Sequence, residues 1–137
     1  ALAAESMAAI LDASRVARLT RNQHVLFRLA ELLTHVECPA ARARQAALAL
    51  EGKRHEKSLD RFDGPTLAAM GRVFAREAAQ KAAQEGVRWV AGSVADGSAD
   101  VGALLAMIPH DAIRMAQAGL LADMNVVADA LYDRSST

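Results

Sequence analysis

The chain has 137 residues; 53% are hydrophobic and only 4% aromatic, and its 16 Lys and Arg are balanced by 16 Asp and Glu. That length fits one domain with a core that needs no disulfide or metal, and zero net charge argues against a nucleic-acid-binding domain, which would carry a basic excess. One cysteine, Cys38, excludes an internal disulfide and favours a reducing, cytoplasmic compartment, while no apolar run approaches the ~20 residues of a membrane span.

Alanine-rich, proline-poor composition favours closely packed helices. The chain opens on Ala1 inside a helical pattern and carries no visible signal peptide, which fits a piece of a longer protein. Ala3, Met7, Ile10, Leu11 and Ser14 share one helical face, and the stripe stops near Ser14, before Arg18. Thr20 and Gln23 have capping-box spacing and predict a helix start there. From that point Val25, Leu26, Leu29, Leu32, Leu33, Val36, Ala40, Ala43, Ala47 and Leu50 form a continuous apolar face on one helix, roughly 45 Å long. Pro39 lacks an N–H and should kink it. Gly52 predicts the stop, with Lys53 and Arg54 beside the negative end of the helix.

Residues 53–64 are charged and aperiodic, which predicts a solvated loop. Asp63-Gly64-Pro65-Thr66 is a helix-start signal with proline in the first turn. A third helix carries Leu67, Gly71, Phe74, Ala75, Ala78, Ala82 and Trp89 on one face, and its small residues predict close approach of a neighbouring backbone. Residues 91–100 read as a turn region. A short helix over Val101–Ile108 ends at Pro109. The last helix shows Ile113, Ala116, Leu120, Met124, Val127 and Leu131 at a spacing near 3.5. Strand alternation is absent from the pattern, as is any internal repeat, and the only low-complexity stretch is the tail Arg134-Ser135-Ser136-Thr137. The expected fold is all-α: a single domain over residues 1–137, an antiparallel bundle of about four helices.

Candidate chemistry is sparse. His35 and Cys38 lie three apart on one helix, with His24, Glu31 and Glu37 nearby, yet they form no recognisable metal motif. Glu31 and His35 are four apart, not the Glu-x-x-His spacing of di-iron bundles. No metal ligand is assigned. Leu50-Glu51-Gly52 and Thr20-Arg21-Asn22-Gln23 read as a helix end and a helix start. Met7, Met70, Met107, Met115 and Met124 mostly fall at core spacing. Lys53, Arg54, His55 and Lys57 could attract phosphate, but Glu56 and Asp60 are interleaved with them, and a solvated loop is the stronger reading. No phosphate loop, nucleophile elbow or Walker pattern is present, so no catalytic residue is assigned.

One pattern on the long helix asks for a partner. His24, Phe27, Glu31, Thr34, Cys38, Ala41 and Gln45 form a second line, roughly opposite the leucine face. Its mixture of one aromatic, small residues and a few polar groups suits a moderately polar interface. The bland reading is an exposed face. The interface reading places the helix between its own bundle and another surface, with His24, Phe27, Glu31, Thr34, Cys38 and Gln45 as the contact residues.

The run Asn22-Gln23-His24-Val25-Leu26-Phe27-Arg28-Leu29-Ala30 opens a long alanine-rich helix ending Ala49-Leu50-Glu51-Gly52. It resembles a segment in the extra C-terminal helical domain of very-long-chain-type acyl-CoA dehydrogenases. Arg76-Glu77-Ala78-Ala79 is similar to text in the family's next helix. The likeness spans residues 2–132 by order and length of helices and is specific over residues 22–52. It implies an accessory domain of an FAD-dependent enzyme that oxidises acyl-CoA thioesters to 2-enoyl-CoA in fatty acid metabolism. The implied partners are the catalytic core of the same polypeptide and a second subunit in a homodimer. The core's base lies in a Glu-Gly-Thr-Asn-type run; here Lys53-Arg54 follows Glu51-Gly52. The resemblance therefore implies no catalytic residue and no flavin contact within the chain, and FAD belongs to the parent enzyme.

The alternatives are a free-standing helical adaptor that binds another protein, and a metal-dependent bundle enzyme. No helix combines a basic face with bulky aromatics, so strong membrane binding is not expected.

Overall fold

Three helix starts carry a polar side-chain cap, from Asn22, Asp63 and Asp100. The computed structural model describes residues 1–53, 62–93 and 100–132, and these form helices and turns with no strand among them. The α-helices are α1 (Leu2–Val16), α2 (Gln23–Leu50), α3 (Gly64–Lys81), α4 (Val87–Ser93), α5 (Val101–Met107), α6 (His110–Met115) and α7 (Leu120–Leu131). A 3-10 turn, Leu19–Arg21, joins α1 to α2, and a π-helical turn, Ala82–Gly86, joins α3 to α4 into one rod.

The cap of α2 is Asn22, not the expected Thr20. The Asn22 side chain accepts from the amides of His24 (3.0 Å) and Val25 (3.4 Å), while Thr20 sits inside the 3-10 turn. An Asn side chain reaches these amides from the extended backbone it adopts there. Helix α2 ends as expected at Gly52, whose φ is 68°. The Lys53 amide donates to the Leu48 carbonyl and the Gly52 amide to the Ala49 carbonyl, the paired bonds of a Schellman stop. Asp63 caps α3 by accepting from the Thr66 amide at 2.8 Å, with Pro65 in the first turn. Asp100 caps α5 through the Ala103 amide at 2.8 Å. Helix α2 runs on through Pro39, which is buried in it.

Helix α2 and the α3–α4 rod lie antiparallel. A Cβ on Gly64 would meet Leu50, and one on Gly71 would lie 3.7 Å from the Ala43 amide. Further along, Lys81 reaches Glu31 and Trp89 meets His24. The small residues of α3 therefore do what their pattern predicts, letting α2 come close. The core lies where α1, the first half of α2 and the π turn meet, around Met7, Ile10, Leu29, Leu32, Ala82 and Val90. The fold is an all-α bundle, as expected.

Several assigned faces shift. On α1, Met7, Ile10 and Ser14 are buried, but Leu11 is exposed and Ser6 and Ala9 turn inward. On α2 the buried row is Val25, Leu29, Leu32, Pro39 and Ala46. Leu26, Leu33, Ala40, Ala43, Ala47 and Leu50, expected in the core, are exposed. The cause is geometric: the ten-residue face is too wide for one neighbour, and α3 covers only part of it. Phe74 and Ala75 on α3 are also exposed. Only Met7 of the five methionines is buried; Met107, Met115 and Met124 are exposed.

The single last helix is in fact two. Gly119, with φ of 79°, breaks the chain between α6 and α7. The break changes the register of the C-terminal half. Ile113 is buried on α6, but on α7 Met124 and Leu131 are exposed and Asp123 is buried. The cluster around Arg54, His55, Glu56, Lys57 and Asp60, the middle of the 91–100 turn and the tail at 134–137 lie outside the described residues.

Candidate interaction face and polar latch

The predicted second line on α2 divides in two. Phe27, Thr34, Cys38, Ala41 and Gln45 are exposed, and Phe27 keeps 64% of its surface. Thr34 donates back to the Ala30 carbonyl at 3.0 Å, Gln45 accepts from Arg42 at 3.0 Å, and Cys38 is a free thiol. His24 and Glu31 stand at the edge of the line and reach the bundle's own helices. The His24 ring meets Trp89 edge-on, with centroids 5.6 Å apart and planes at 77°. Glu31 accepts from Arg28 at 3.0 Å and lies 3.7 Å from Lys81. The Arg28 hydrogen bond holds the Glu31 carboxyl below its ordinary value. Successive α-helical residues are ~100° apart, and His24 and Glu31 fall on the α3–α4 side of that line.

Trp89, expected on the core face, sits half-buried at this seam. The guanidinium carbons of Arg28 and Arg88 each lie 5.5 Å from its ring centroid, cation–π distance. Its Nε1 is buried and has no hydrogen-bond acceptor among the described residues.

Among the described residues the best-organised polar group is one that the sequence pattern does not reveal. Asp123 of α7 is 8% exposed and faces two arginines of α3. Arg72 grips it through Nε (3.0 Å to one carboxylate oxygen, 3.1 Å to the other) and Nη2 (2.5 Å). Arg76 adds Nη1 at 2.5 Å and donates to the carbonyls of Ala116 (2.8 Å) and Ala118 (2.9 Å). Those carbonyls lie at the C-cap of α6 and in the turn after it, so one guanidinium ties both sides of Gly119 to α3. The hydrogen bonds from Arg72 and then Arg76 hold the Asp123 carboxyl well below the usual carboxylate range, against the opposing effect of burial. The same bond raises the Arg72 guanidinium. A carboxylate so held, its partners two guanidiniums that stay charged, is a structural tie and a poor proton donor or acceptor at neutral pH.

Beside Arg72 an open groove of about 390 Å³ runs between α2 and α3, walled by Pro39, Ala43, Ala47, Leu50 and Gly71. Its walls are apolar with one cation, which suits packing better than bond chemistry. Glu51 is ion-paired with Lys53 at 3.0 Å and Asn22 is spent as a cap. Among the described residues no group of three or more His, Cys, Asp or Glu gathers as a metal site would need, His35 and Cys38 included. None of their helices is long and apolar enough to cross a membrane. Comparison with protein families, with curated proteins and with solved structures gives no match.

Proposed function

We propose that this bundle is a non-catalytic, accessory helical domain of a cytoplasmic FAD-dependent acyl-CoA dehydrogenase of the very-long-chain type. It docks on the catalytic core of the same polypeptide and supports the architecture of its homodimer. The observation that carries the reading is Phe27. It lies within the segment that resembles the family, on the longest helix, and it is 64% exposed in the bundle. A large aromatic that its own core does not use, flanked by Thr34 and Cys38, is suited to anchor a contact. In this reading the dehydrogenation itself, with FAD accepting the hydride from the acyl-CoA, belongs to the core, and this chain supplies position and stability.

The open apolar groove between α2 and α3 favours a second reading, a free-standing adaptor that receives another protein's helix. The coding sequence upstream of Ala1 discriminates the two. The first reading expects a flavoprotein dehydrogenase core there. A start codon immediately before Ala1, or an unrelated domain, sinks it.

A further inference from the structure

Helix α2 carries an apolar or small residue every three and four positions for four heptads, the seam of a coiled coil. One row of that seam, Leu29, Val36, Ala43 and Leu50, faces α3: Leu29 is 2% exposed, and Ala43 and Leu50 meet Gly71 and Gly64. The other row, Leu26, Leu33, Ala40 and Ala47, is exposed, with Leu26 at 46% and Leu33 at 42%. Leu26, Leu33 and Ala40 thus face outward, while Ala47 turns toward the groove between α2 and α3. Beside the outward row stand Glu37 and Arg44, two turns apart on the same side. Both are exposed, and neither has a hydrogen-bond or ion-pair partner among the described residues.

We propose that the outward row is the seam of a two-fold dimer of this chain, in which two α2 helices pack antiparallel about a point between Ala40 and Ala41. Charge decides the direction. In an antiparallel pair, residues flanking the seam meet their own heptad class on the other helix. Glu37 then faces Arg44 of the second copy, and Arg44 faces Glu37, so two opposite-charge pairs form at once. A parallel pair in register loses both contacts. Size agrees with this centre: Ala40 meets Ala41 of the second copy at the crossing, where helices come closest, and Leu33 meets Leu48 of the second copy, both of them exposed in the single chain. A two-fold contact needs one self-complementary patch, which this row and its two flanking charges supply. Helix α2 ends at Leu50, so about this centre residues 31–50 of the two copies overlap over about 30 Å, and zero net charge leaves no long-range repulsion between copies. Phe27 is on a different side of α2, so the dimer does not depend on the flavoenzyme reading and leaves that docking face free.

Sedimentation equilibrium of the 137-residue chain across micromolar concentrations tests this. A reversible monomer–dimer equilibrium is expected. Leu33→Glu should leave a helical, folded monomer by circular dichroism. Glu37→Arg or Arg44→Glu alone should raise the dimer Kd by about tenfold or more, and the two together should restore it. With Cys38→Ser, Ala40→Cys should form a disulfide-linked dimer on mild oxidation. A chain that stays monomeric, a dimer that survives Leu33→Glu, or a charge swap that fails to restore association overturns the proposal. A chain that dimerises as described but has no dehydrogenase core upstream removes the flavoenzyme reading alone.

Discussion

Helices α1 and α7 both pack on the α3–α4 rod, and they do so with opposite chemistry. Helix α1 pushes the fully buried Ile10 against Gly86 in the π turn, so closely that a Cβ on Gly86 would lie 2.1 Å from Ile10 Cδ1. Helix α7 buries one residue, Asp123, and holds it with two arginines, while Leu121 and Met124 stay in solvent. Apolar packing fails only when volume changes; an ionic tie fails when charge changes. The α1 contact should therefore depend on side-chain size and be indifferent to pH, and the α7 contact the reverse.

The largest effect is expected at the α1 contact. Ile10→Ala removes a side chain with no exposed surface from a tightly filled site. It should cost about 4 kcal/mol, and Leu29→Ala, from a similarly buried position, about 3 kcal/mol. Urea unfolding near neutral pH measures both. A loss below about 1 kcal/mol would mean the site collapses around the gap and is less closely packed than its geometry indicates.

Asp123→Asn comes next. It leaves Arg76, which is 14% exposed, without its counter-charge, and it should cost about 2 kcal/mol near neutral pH; half-exposed Arg72 loses less. The cost must depend on pH. The folded carboxyl titrates below the ordinary value, so between its depressed pKa and the unfolded value near ~3.9 the unfolded chain binds a proton that the folded chain refuses. The tie's stabilisation is therefore complete above the unfolded value and is lost as pH falls through the folded one. The deficit of Asp123→Asn against the parent should shrink as unfolding is measured at progressively lower pH. Glu31, also depressed, keeps its own slope in both proteins. A deficit unchanged by acid would show that Asp123 acts by shape and not by charge.

The same two contacts show what was legible in sequence. Met7, Ile10 and Ser14 are legible because a helix in a core repeats its inward residues at helical spacing, and no neighbour is needed to see it. Asp123 is hidden in the sequence because Leu120, Met124, Val127 and Leu131 make a sharper stripe than it does. That stripe is real in sequence but loses its register at Gly119, whose left-handed backbone ends one helix and starts another. The available signal was Arg72 and Arg76, four apart on a helix of small residues and so on one face, with no acid placed to answer them on that helix. On α2 the leucine face reads as one surface because periodicity gives direction around a helix but not the number of neighbours. Only the antiparallel pairing with α3 shows that half of that surface is left over.

Gly86→Ala probes the close approach from the other side and should have a smaller effect. The added methyl overlaps Ile10 and must displace it, at about 1–3 kcal/mol, while alanine gains about 1 kcal/mol of helix propensity over glycine. A net loss of about 1 kcal/mol is expected, rescued by Ile10→Val if the clash is the cause. Double-mutant unfolding measures the coupling. Additive losses would place the π turn's need for glycine elsewhere.

Phe27→Ala should have the smallest effect on this chain, and that smallness is the point. Phe27 is neither packed like Ile10 nor tied like Asp123; with 64% of its surface exposed, it has little to lose from truncation. Thermal unfolding of the bundle should change by no more than about 0.5 kcal/mol. Val25 and Leu29, two residues to either side, are 3% and 2% exposed, so the contrast comes from direction around one helix and not from place along it. If Phe27 anchors a contact with a dehydrogenase core, the same substitution in the longer polypeptide should weaken that contact and lower activity through assembly, with the flavin still bound. Sedimentation and limited proteolysis of the two proteins side by side read the difference. Marked unfolding of the bundle alone would put Phe27 in the core after all. An unchanged assembly in the longer polypeptide would remove the docking face while leaving the outward seam of α2 to be judged on its own.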